Sequence, residues 1–388
     1  MVRKVIVSTF LLAMSVALVS MTATPAQAKS RKENENRAIA SYQAMQKYFY
    51  KQDGSYLYAE QYPSASSDNA YSYEWPFSQA HIATIDLSYI PGTGQNYQGD
   101  VVDRSQGQER YWNTTGTTGL PGYDSYPRPP YGNGGDKFYD DNEWVGLAKV
   151  QLYAMNGDTS ALERAKQIFD LVVSGWDTDS SHPAAGGVFW TQATWSNDRN
   201  TVSNMPGAEL GLRLYQATGN QYYLDWARKM YDWTNAHLLA PNGLYWDHID
   251  LAGNIEKTQW SYNQGVPVGV NVLFYQITGD VTYLHRAKDI ANAALAYYGT
   301  DNRLYGQPAF FNSIFFKNLL LLQSINHDKR YTETMQAYAD KVWDTYRDPA
   351  TGLFHFNGSQ STQVIEQAAI TQIYAVLAWT PAQYRVLY

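Results

Sequence analysis

A short motif recurs along this chain at an almost constant spacing. Its glycines, Gly157, Gly219 and Gly279, lie 62 and 60 residues apart, and each follows a run of apolar and aromatic residues. Glycine at the end of an apolar helical segment is typical of a left-handed helix C-cap. The motif therefore predicts a helix, a tight turn and a second helix, repeated about every 60 residues.

The two helices of each predicted hairpin differ in polarity. Residues 266–277 contain no charge and are apolar nearly all round, which predicts a helix buried on most sides. Residues 161–174 instead carry charged side chains around a single apolar stripe. That stripe consists of Leu162, Ala165, Phe169 and Val172. Buried helices that alternate with amphipathic helices predict two concentric layers.

A second repeated feature follows the hairpins: a turn and a few β-like aromatic residues. It occurs at residues 54–58, 187–190, 243–246, 303–305 and 352–354. Candidate inner helices then begin near Trp75, Asp140, Pro206, Tyr262, Asn312 and Glu366. Six units of about 60 residues predict an all-α fold, an (α/α)6 barrel with short β-like turns, as a single catalytic domain over residues 29–388. Residues 89–135 form a long excursion before the second inner helix, and such loops are usually functional.

The first 28 residues have the three parts of a secretory signal. Arg3 and Lys4 precede an apolar stretch at residues 5–19, and Ala26-Gln27-Ala28 is an A-x-A cleavage site. The alternative is a membrane anchor, but the stretch is shorter than ~20 residues and contains serines. We therefore expect a secreted, extracellular protein after cleavage near Ala28.

Composition excludes several classes of function. The chain has no cysteine, which excludes disulfides, cysteine-ligated metals and a cysteine nucleophile. Its net charge of −7 disfavours nucleic acid and anionic membranes as partners. The seven histidines are scattered and form no H-E-x-x-H motif, so we expect neither a catalytic metal nor a cofactor. A monomer is expected.

Polar and aromatic residues cluster just before the predicted inner helices. In such a barrel these positions ring one mouth, which is the default binding site. Aromatic rings stack on the C–H faces of a pyranose, and amides and acids bind its hydroxyls, so the mixture favours a neutral sugar. The candidate ligand-binding residues are Trp75, Gln79, Tyr139, Asn142, Asn204, Asp247, Tyr262, Asn263, Gln264 and Phe311.

Asp140 and Asp141 are the candidate catalytic pair. Glycoside hydrolysis generally uses two carboxyl groups, ~5–5.5 Å apart for retention and ~6.5–9.5 Å for inversion. A helix N-terminus favours ionisation of one group, and that charge opposes ionisation of its neighbour, so the two pKa values separate. The alternative is structural: Asp140 caps the helix, with Glu143 completing a capping-box-like pair.

Several motifs together resemble those of glycoside hydrolase family 76. They are Trp75-Pro76-Phe77 with Gln79, Tyr139-Asp140-Asp141-Asn142 before Trp144, Asn204-x-Pro206, Gly243-Leu244 running to Asp247, and Tyr262-Asn263-Gln264-Gly265. The resemblance covers nearly all of residues 29–388. It implies an (α/α)6 fold and a retaining endo-α-1,6-mannanase acting on mannan.

The resemblance also implies roles for individual residues. Asp140 would be the nucleophile, Asp141 the acid/base, and Asp247 a substrate-binding acid in the −1 region. The fifth inner helix departs from the family pattern. It reads Phe311-Asn312-Ser313 where a Phe-Lys-Gly-like run is common, which leaves sugar recognition there open.

Other functions remain possible on the sequence. A transglycosidase on mannose-containing cell-wall glycans needs the same covalent intermediate. A glucuronyl hydrolase or a polysaccharide lyase of the same fold would act on anionic substrates and need Arg or Lys at the mouth, where this chain has few. A catalytically silent glycan-binding protein of the same fold would keep the binding site at the mouth but would not cleave the glycan.

Overall fold

The computed structural model describes residues 25–388 of the chain. Most of the predicted signal peptide, residues 1–24, lies outside the described residues, and its last four residues begin the first helix. The described part contains twelve α-helices. None of them is both long enough and apolar enough to cross a membrane.

Six helices form the inner layer and six the outer layer. The inner helices are α2 (Glu74–Ser88), α4 (Tyr139–Asn156), α6 (Thr201–Thr218), α8 (Tyr262–Thr278), α10 (Ala309–Asn326) and α12 (Val364–Leu377). The outer helices are α1 (Pro25–Tyr48), α3 (Gln98–Gln108), α5 (Thr159–Ser174), α7 (Gln221–His237), α9 (Val281–Tyr298) and α11 (Arg330–Thr345). Four short 3₁₀ helices occur at Gly94–Tyr97, Glu109–Tyr111, Arg303–Gly306 and Pro381–Val386.

The inner helices form a closed ring. Each packs against the next, and α12 returns to pack against α2. Each outer helix packs on an inner one: α3, α5, α7, α9 and α11 on the helix before them, and α1 on α12. Tyr262 to Phe274 of α8 are all buried, whereas α5 buries one face that includes Leu162 and Phe169. The predicted (α/α)6 barrel with two layers is confirmed.

The repeated glycines end inner helices, as predicted. Gly157, Gly219 and Gly279 have φ values of 77°, 70° and 73°, the left-handed region that glycine adopts without strain. The next residue, Asp158 or Asp280 in two of these turns, accepts backbone N–H bonds from the first turn of the outer helix. In these hairpins the turn is tight, and backbone groups at the helix ends have hydrogen-bond partners.

The β structure is short and lies at the ends of the helices. The strands are β1 (Gln61–Tyr62), β2 (Trp112–Asn113), β3 (Gly122–Tyr123), β4 (Asp198–Asn200), β5 (His248–Asp250), β6 (Ile255–Glu256) and β7 (Thr362–Gln363). β1 pairs with β7, β2 with β3, and β4, β5 and β6 form one sheet, all antiparallel. The pairing of β1 with β7 joins the two ends of the ring.

The structure corrects three details of the sequence analysis. The third inner helix begins at Thr201, so Pro206 lies inside it rather than at its start. Residues 303–306 form a 3₁₀ turn, whereas the other four aromatic segments make isolated β-bridges. The excursion at residues 89–135 is only partly a loop, because it contains the outer helix α3 and the hairpin β2–β3. The helix α3 was not predicted because its sequence is mostly charged and polar and shows little apolar periodicity.

Candidate active site

Asp140 and Asp141 occupy the first turn of α4. The helix is capped by Phe138, whose side chain makes no capping bond, so Asp140 is not the N-cap and the capping-box interpretation is wrong. Asp140 is nine-tenths buried and Asp141 is half-buried. The two carboxyl groups therefore remain available for chemistry at the mouth end of an inner helix.

Asp140 is held by a tryptophan that the sequence analysis did not select. The indole Nε1 of Trp190 donates a hydrogen bond of 3.1 Å to Asp140 Oδ2. Trp190 lies in an aromatic segment that docks beside α4, since its carbonyl accepts from the Tyr139 N–H at 2.9 Å. Its segment was recognised in the sequence only as a repeated aromatic feature, and a hydrogen-bond partner 50 residues away could not be assigned from that feature.

The two carboxyl groups of the pair have different proton affinities. Burial raises the pKa of Asp140 to about 7, although the Trp190 bond favours its ionised form. Burial also raises the pKa of Asp141 well above its usual range, and the neighbouring Asp140 and Glu74 carboxyls raise it further. Burial and mutual repulsion therefore favour a pair in which one group is ionised and the other protonated.

Two further buried carboxyl groups lie beside the pair. Glu74, at the start of α2, accepts a 2.5 Å hydrogen bond from Gln108 Nε2. Neither oxygen of Glu143 has a hydrogen-bond partner within residues 25–388. Burial raises the pKa of both groups well above the usual range, and the charge of Asp140 adds to the effect. Burial and the neighbouring charge thus favour the protonated form of both side chains.

The opposite side of the site is built by α8 and the segment before β5. Asp247 accepts a hydrogen bond from Asn263 Nδ2 at 3.1 Å through Oδ1, and its Oδ2 lies 2.9 Å from His248 Nδ1. The pKa of Tyr262 is raised well above its usual range, first by burial and then by the carboxylates of Asp247, Asp140 and Asp141. The phenol therefore lies close to all three acids. His248 is a second neighbour that sequence analysis missed.

Aromatic rings form a wall beside these acids. Tyr262 and Phe311 stack face to face, with ring centroids 3.9 Å apart and an interplanar angle of 6°. Trp75 lies over Phe311 at 6.1 Å, and Trp260 meets it edge-on at 5.4 Å. On the Asp140 side, Trp195 is 58% exposed and lies 6.2 Å from Trp190. These rings offer flat apolar surfaces next to polar groups, which suits a sugar.

Three amides predicted to bind ligand instead hold loops. Asn142, Asn204 and Gln264 are fully buried, and each side-chain oxygen accepts from one backbone N–H, of Tyr123, Val188 and Tyr245 respectively. Each side-chain nitrogen donates back to the carbonyl of that same residue. Because their donors and acceptors are already used, we reassign these amides to positioning the short strands around the mouth.

Two other candidate residues point away from the acids. The ring of Tyr139 packs against Gly175 at the end of α5, because a Cβ there would lie 2.6 Å from the ring. Gln79 lies between α2 and α12, where its Oε1 accepts from Gln372 at 3.1 Å. The site proper thus brings together Asp140, Asp141, Asp247, Tyr262, Asn263, Phe311 and Trp75.

Glu209 and Arg213 lie four residues apart on α6, but within the described residues they do not form an ion pair. Arg213 instead donates to the backbone carbonyls of Arg385 and Leu387. Burial raises the pKa of Glu209 to about 8. Within residues 25–388, no group of three or more acidic or histidine side chains is arranged to hold a metal ion.

Comparisons with a family model and with curated proteins point to the same family. The model of "Glycosyl hydrolase family 76" matches residues 33–382. A curated relative, "Mannan endo-1,6-alpha-mannosidase DCW1" of Saccharomyces cerevisiae, is 31% identical over 174 residues, which are 41% of this chain and 38% of that protein. The chain thus spans about two fifths of the length of the curated relatives it matches.

Solved structures share the fold. The family 76 mannosidase Bt3792 of Bacteroides thetaiotaomicron is 25% identical and superposes with a TM-score of 0.78, over 89% of this chain and 98% of that one. An inactive variant of the α-1,6-mannanase GH76A of Salegentibacter, solved with α-1,6-mannotriose, is 20% identical with a TM-score of 0.71, over 89% and 99% of the two chains. At that identity the second likeness establishes the fold alone.

Proposed function

Since this chain belongs to glycosyl hydrolase family 76, we propose that it cleaves α-1,6-mannosidic linkages in mannan through a covalent glycosyl-enzyme intermediate. The observation that carries the proposal is the pair Asp140 and Asp141, whose pKa values are separated beside an aromatic wall. Curated relatives named mannan endo-1,6-alpha-mannosidase support mannan as the proposed substrate.

The first chemical step uses both carboxyl groups. The Asp140 carboxylate attacks the anomeric carbon and forms an ester bond to the sugar. The bond between that carbon and the glycosidic oxygen breaks, and Asp141 transfers its proton to the leaving oxygen. Trp190 donates a hydrogen bond to Oδ2 of Asp140, and this bond favours the ionised form that attacks.

The second step reverses the proton transfer. Ionised Asp141 takes a proton from water, and the water oxygen attacks the anomeric carbon and releases Asp140. The product keeps the configuration of the substrate. If a sugar hydroxyl takes the place of water, the same intermediate yields transglycosylation.

The remaining site residues bind and orient the sugar. Asp247 is held at both oxygens by Asn263 and His248, which fixes a carboxylate for sugar hydroxyls near the pair. Tyr262 and Phe311 supply a stacked surface for a mannose ring. We also propose that the protein acts outside the cell, on the basis of the secretory signal predicted in residues 1–28.

Incubation with linear α-1,6-mannan tests the proposal. We expect short manno-oligosaccharides by chromatography and the α-anomer first by NMR. A β-anomer would mean inversion and would point to Asp247 as the second carboxylate. Longer products with an added mannoside acceptor would indicate transglycosylation. Binding without any product would mean a silent glycan-binding protein.

The pH profile of kcat/KM gives a second prediction. Asp140 must be ionised, so activity is expected to fall as pH drops through about 7, the pKa to which burial raises this group. Trp190→Phe removes a hydrogen bond to the ionised form, so the acidic limb should move upward by roughly one pH unit. The limb is measured between pH 4 and 9 with a soluble α-1,6-manno-oligosaccharide.

The matched control is Trp195→Phe. Trp195 packs near Trp190 but makes no hydrogen bond to Asp140, so its replacement should leave the acidic limb in place. An unchanged limb in Trp190→Phe would contradict the assigned role of the indole N–H.

A further inference from the structure

A surface pocket outside the mouth lies in the excursion at residues 89–135. It has a volume of about 300 Å³ and is lined by Glu109, Arg110, Trp112, Arg128, Pro129, Pro130 and Tyr131. The proposed hydrolysis does not use any of these residues. The pocket combines two aromatic rings with two guanidinium groups, which is the composition of a site for a charged sugar.

The two arginines of the pocket keep free donors. Arg110 lies 4.9 Å from the centre of the Tyr131 ring, and its Nε donates to the Ser55 carbonyl at 3.3 Å. Within residues 25–388, no carboxylate oxygen lies within 4.0 Å of the Arg110 guanidinium. Arg128 is 42% exposed, and its nearest carboxylate, on Asp124, is 3.7 Å away. Both guanidinium groups can therefore bind an anion without first breaking a short ion pair.

The acidic residues nearby are already paired with other cations. Glu109 lies 3.0 Å from Arg164, which also covers the Trp112 ring at 3.6 Å. Asp124 accepts from Asn113 and lies 3.4 Å from the buried ammonium of Lys137. The pocket is thus locally positive in a chain whose net charge is −7.

A line of tyrosines connects the pocket to the mouth of the barrel. Tyr131 meets Tyr71 edge-on at 5.8 Å, and the Tyr71 N–H donates to the Tyr126 hydroxyl at 3.4 Å. Tyr126 meets Tyr73 at 5.4 Å, and Tyr73 is 47% exposed directly before Glu74 at the site. A glycan chain that leaves the mouth on this side would find aromatic surface all the way to the pocket.

We infer that this pocket binds an anionic group, a phosphate ester or a carboxylate, carried by the glycan. Guanidinium groups bind both anions through paired charge-assisted hydrogen bonds, and Trp112 and Tyr131 can stack on the sugar that carries them. Arg110 and Arg128 each use one donor on a backbone carbonyl, of Ser55 and Trp112 respectively, and a neutral glycan would leave their other donors without an anionic partner. The nature of the ligand rests on the proposed glycan-directed function, whereas the pocket and its charge do not.

Binding is measured with the protein carrying Asp140→Asn and Asp141→Asn, so that the polymer stays intact. The probes are a phosphomannan, the same polymer after phosphatase treatment, and polygalacturonate, in affinity electrophoresis. We expect phosphomannan to bind about tenfold more tightly than its dephosphorylated form at low salt, with the difference shrinking as salt screens the charges. Polygalacturonate binding would extend the ligand to carboxylates, and its absence would restrict it to phosphate.

The variant Arg110→Gln with Arg128→Gln should lose the phosphate-dependent difference. The control, Arg303→Gln with Lys329→Gln, removes two exposed charges elsewhere and should keep it. Arg128→Gln alone serves if the double variant does not fold. Equal affinity for the two mannans, or a preference that survives the loss of both arginines, would overturn the inference.

A separate measurement distinguishes this inference from the proposed hydrolysis. In the chain with both catalytic aspartates, Arg110→Gln with Arg128→Gln should hydrolyse short neutral manno-oligosaccharides at the wild-type rate. If the wild-type protein does not hydrolyse these oligosaccharides, the proposed function is refuted, but the binding result is unaffected.

Discussion

Asp140→Asn should abolish nearly all turnover of α-1,6-mannan while the fold is retained. Asparagine keeps the shape of the side chain but cannot form the glycosyl ester, so kcat/KM should fall on the order of a thousandfold or more. In Asp141→Asn, kcat/KM on mannan should also fall, by ~10²–10⁴-fold, because no group then protonates the leaving oxygen. Initial rates on mannan and melting curves of both variants test this.

A substrate with an activated leaving group separates the two roles. An aryl α-mannoside needs little protonation, so Asp141→Asn should recover much of its rate there, whereas Asp140→Asn should not. Glu143→Gln is the matched control, because it replaces a buried acid on the same helix whose protonated form is favoured by burial, and its activity should stay within about threefold of the wild type. Full activity on mannan in either aspartate variant would refute the assignment.

Arg199→Met should destabilise the protein by about 3–5 kcal/mol, the usual cost of removing one partner of a buried ion pair. Arg199 is fully buried and lies 2.6 Å from Asp177 Oδ2. Its other nitrogen donates to the carbonyls of Pro183 at 2.9 Å and Asp250 at 3.1 Å. The substitution leaves these carbonyls without their guanidinium donor, and Asp177 keeps only His182 Nδ1, 2.9 Å from Oδ2, and the Asp179 N–H as partners. Urea unfolding followed by tryptophan fluorescence gives the free energy.

Arg303→Met is the control for this loss. Arg303 is exposed and pairs with Asp301 at 3.1 Å, so its removal should cost less than about 1 kcal/mol. If the two variants lose equal free energy of unfolding, the buried contacts of Arg199 do not account for its contribution to stability.

The architecture was predictable because it repeats. Gly157, Gly219 and Gly279 mark helix ends through local backbone geometry, and an uncharged helix such as residues 266–277 must be buried whatever its neighbours are. The α3 helix was not predicted, since its sequence is polar and contains two internal glycines. Periodicity is a weak signal where a helix buries little apolar surface.

The site was predictable only in part. Asp140, Asp141, Asp247 and Tyr262 were selected from the sequence, and the fold brings them together. Asn142, Asn204 and Gln264 were selected because amides bind sugars, but an amide binds a backbone equally well. Which of the two it does depends on whether a strand lies within hydrogen-bond distance.

The repeat, the two kinds of helix and the position of the aspartate pair at a helix start could be predicted from the sequence, because these features depend on neighbours along the chain. Three other features became clear only from the folded chain. Trp190 bonds Asp140, Glu74 lies among the acids, and the arginines at positions 110 and 128 line one pocket. Those outcomes depend on which side chains the closed ring brings within a few ångströms. Burial and Coulomb energies act over those distances and not over sequence separation.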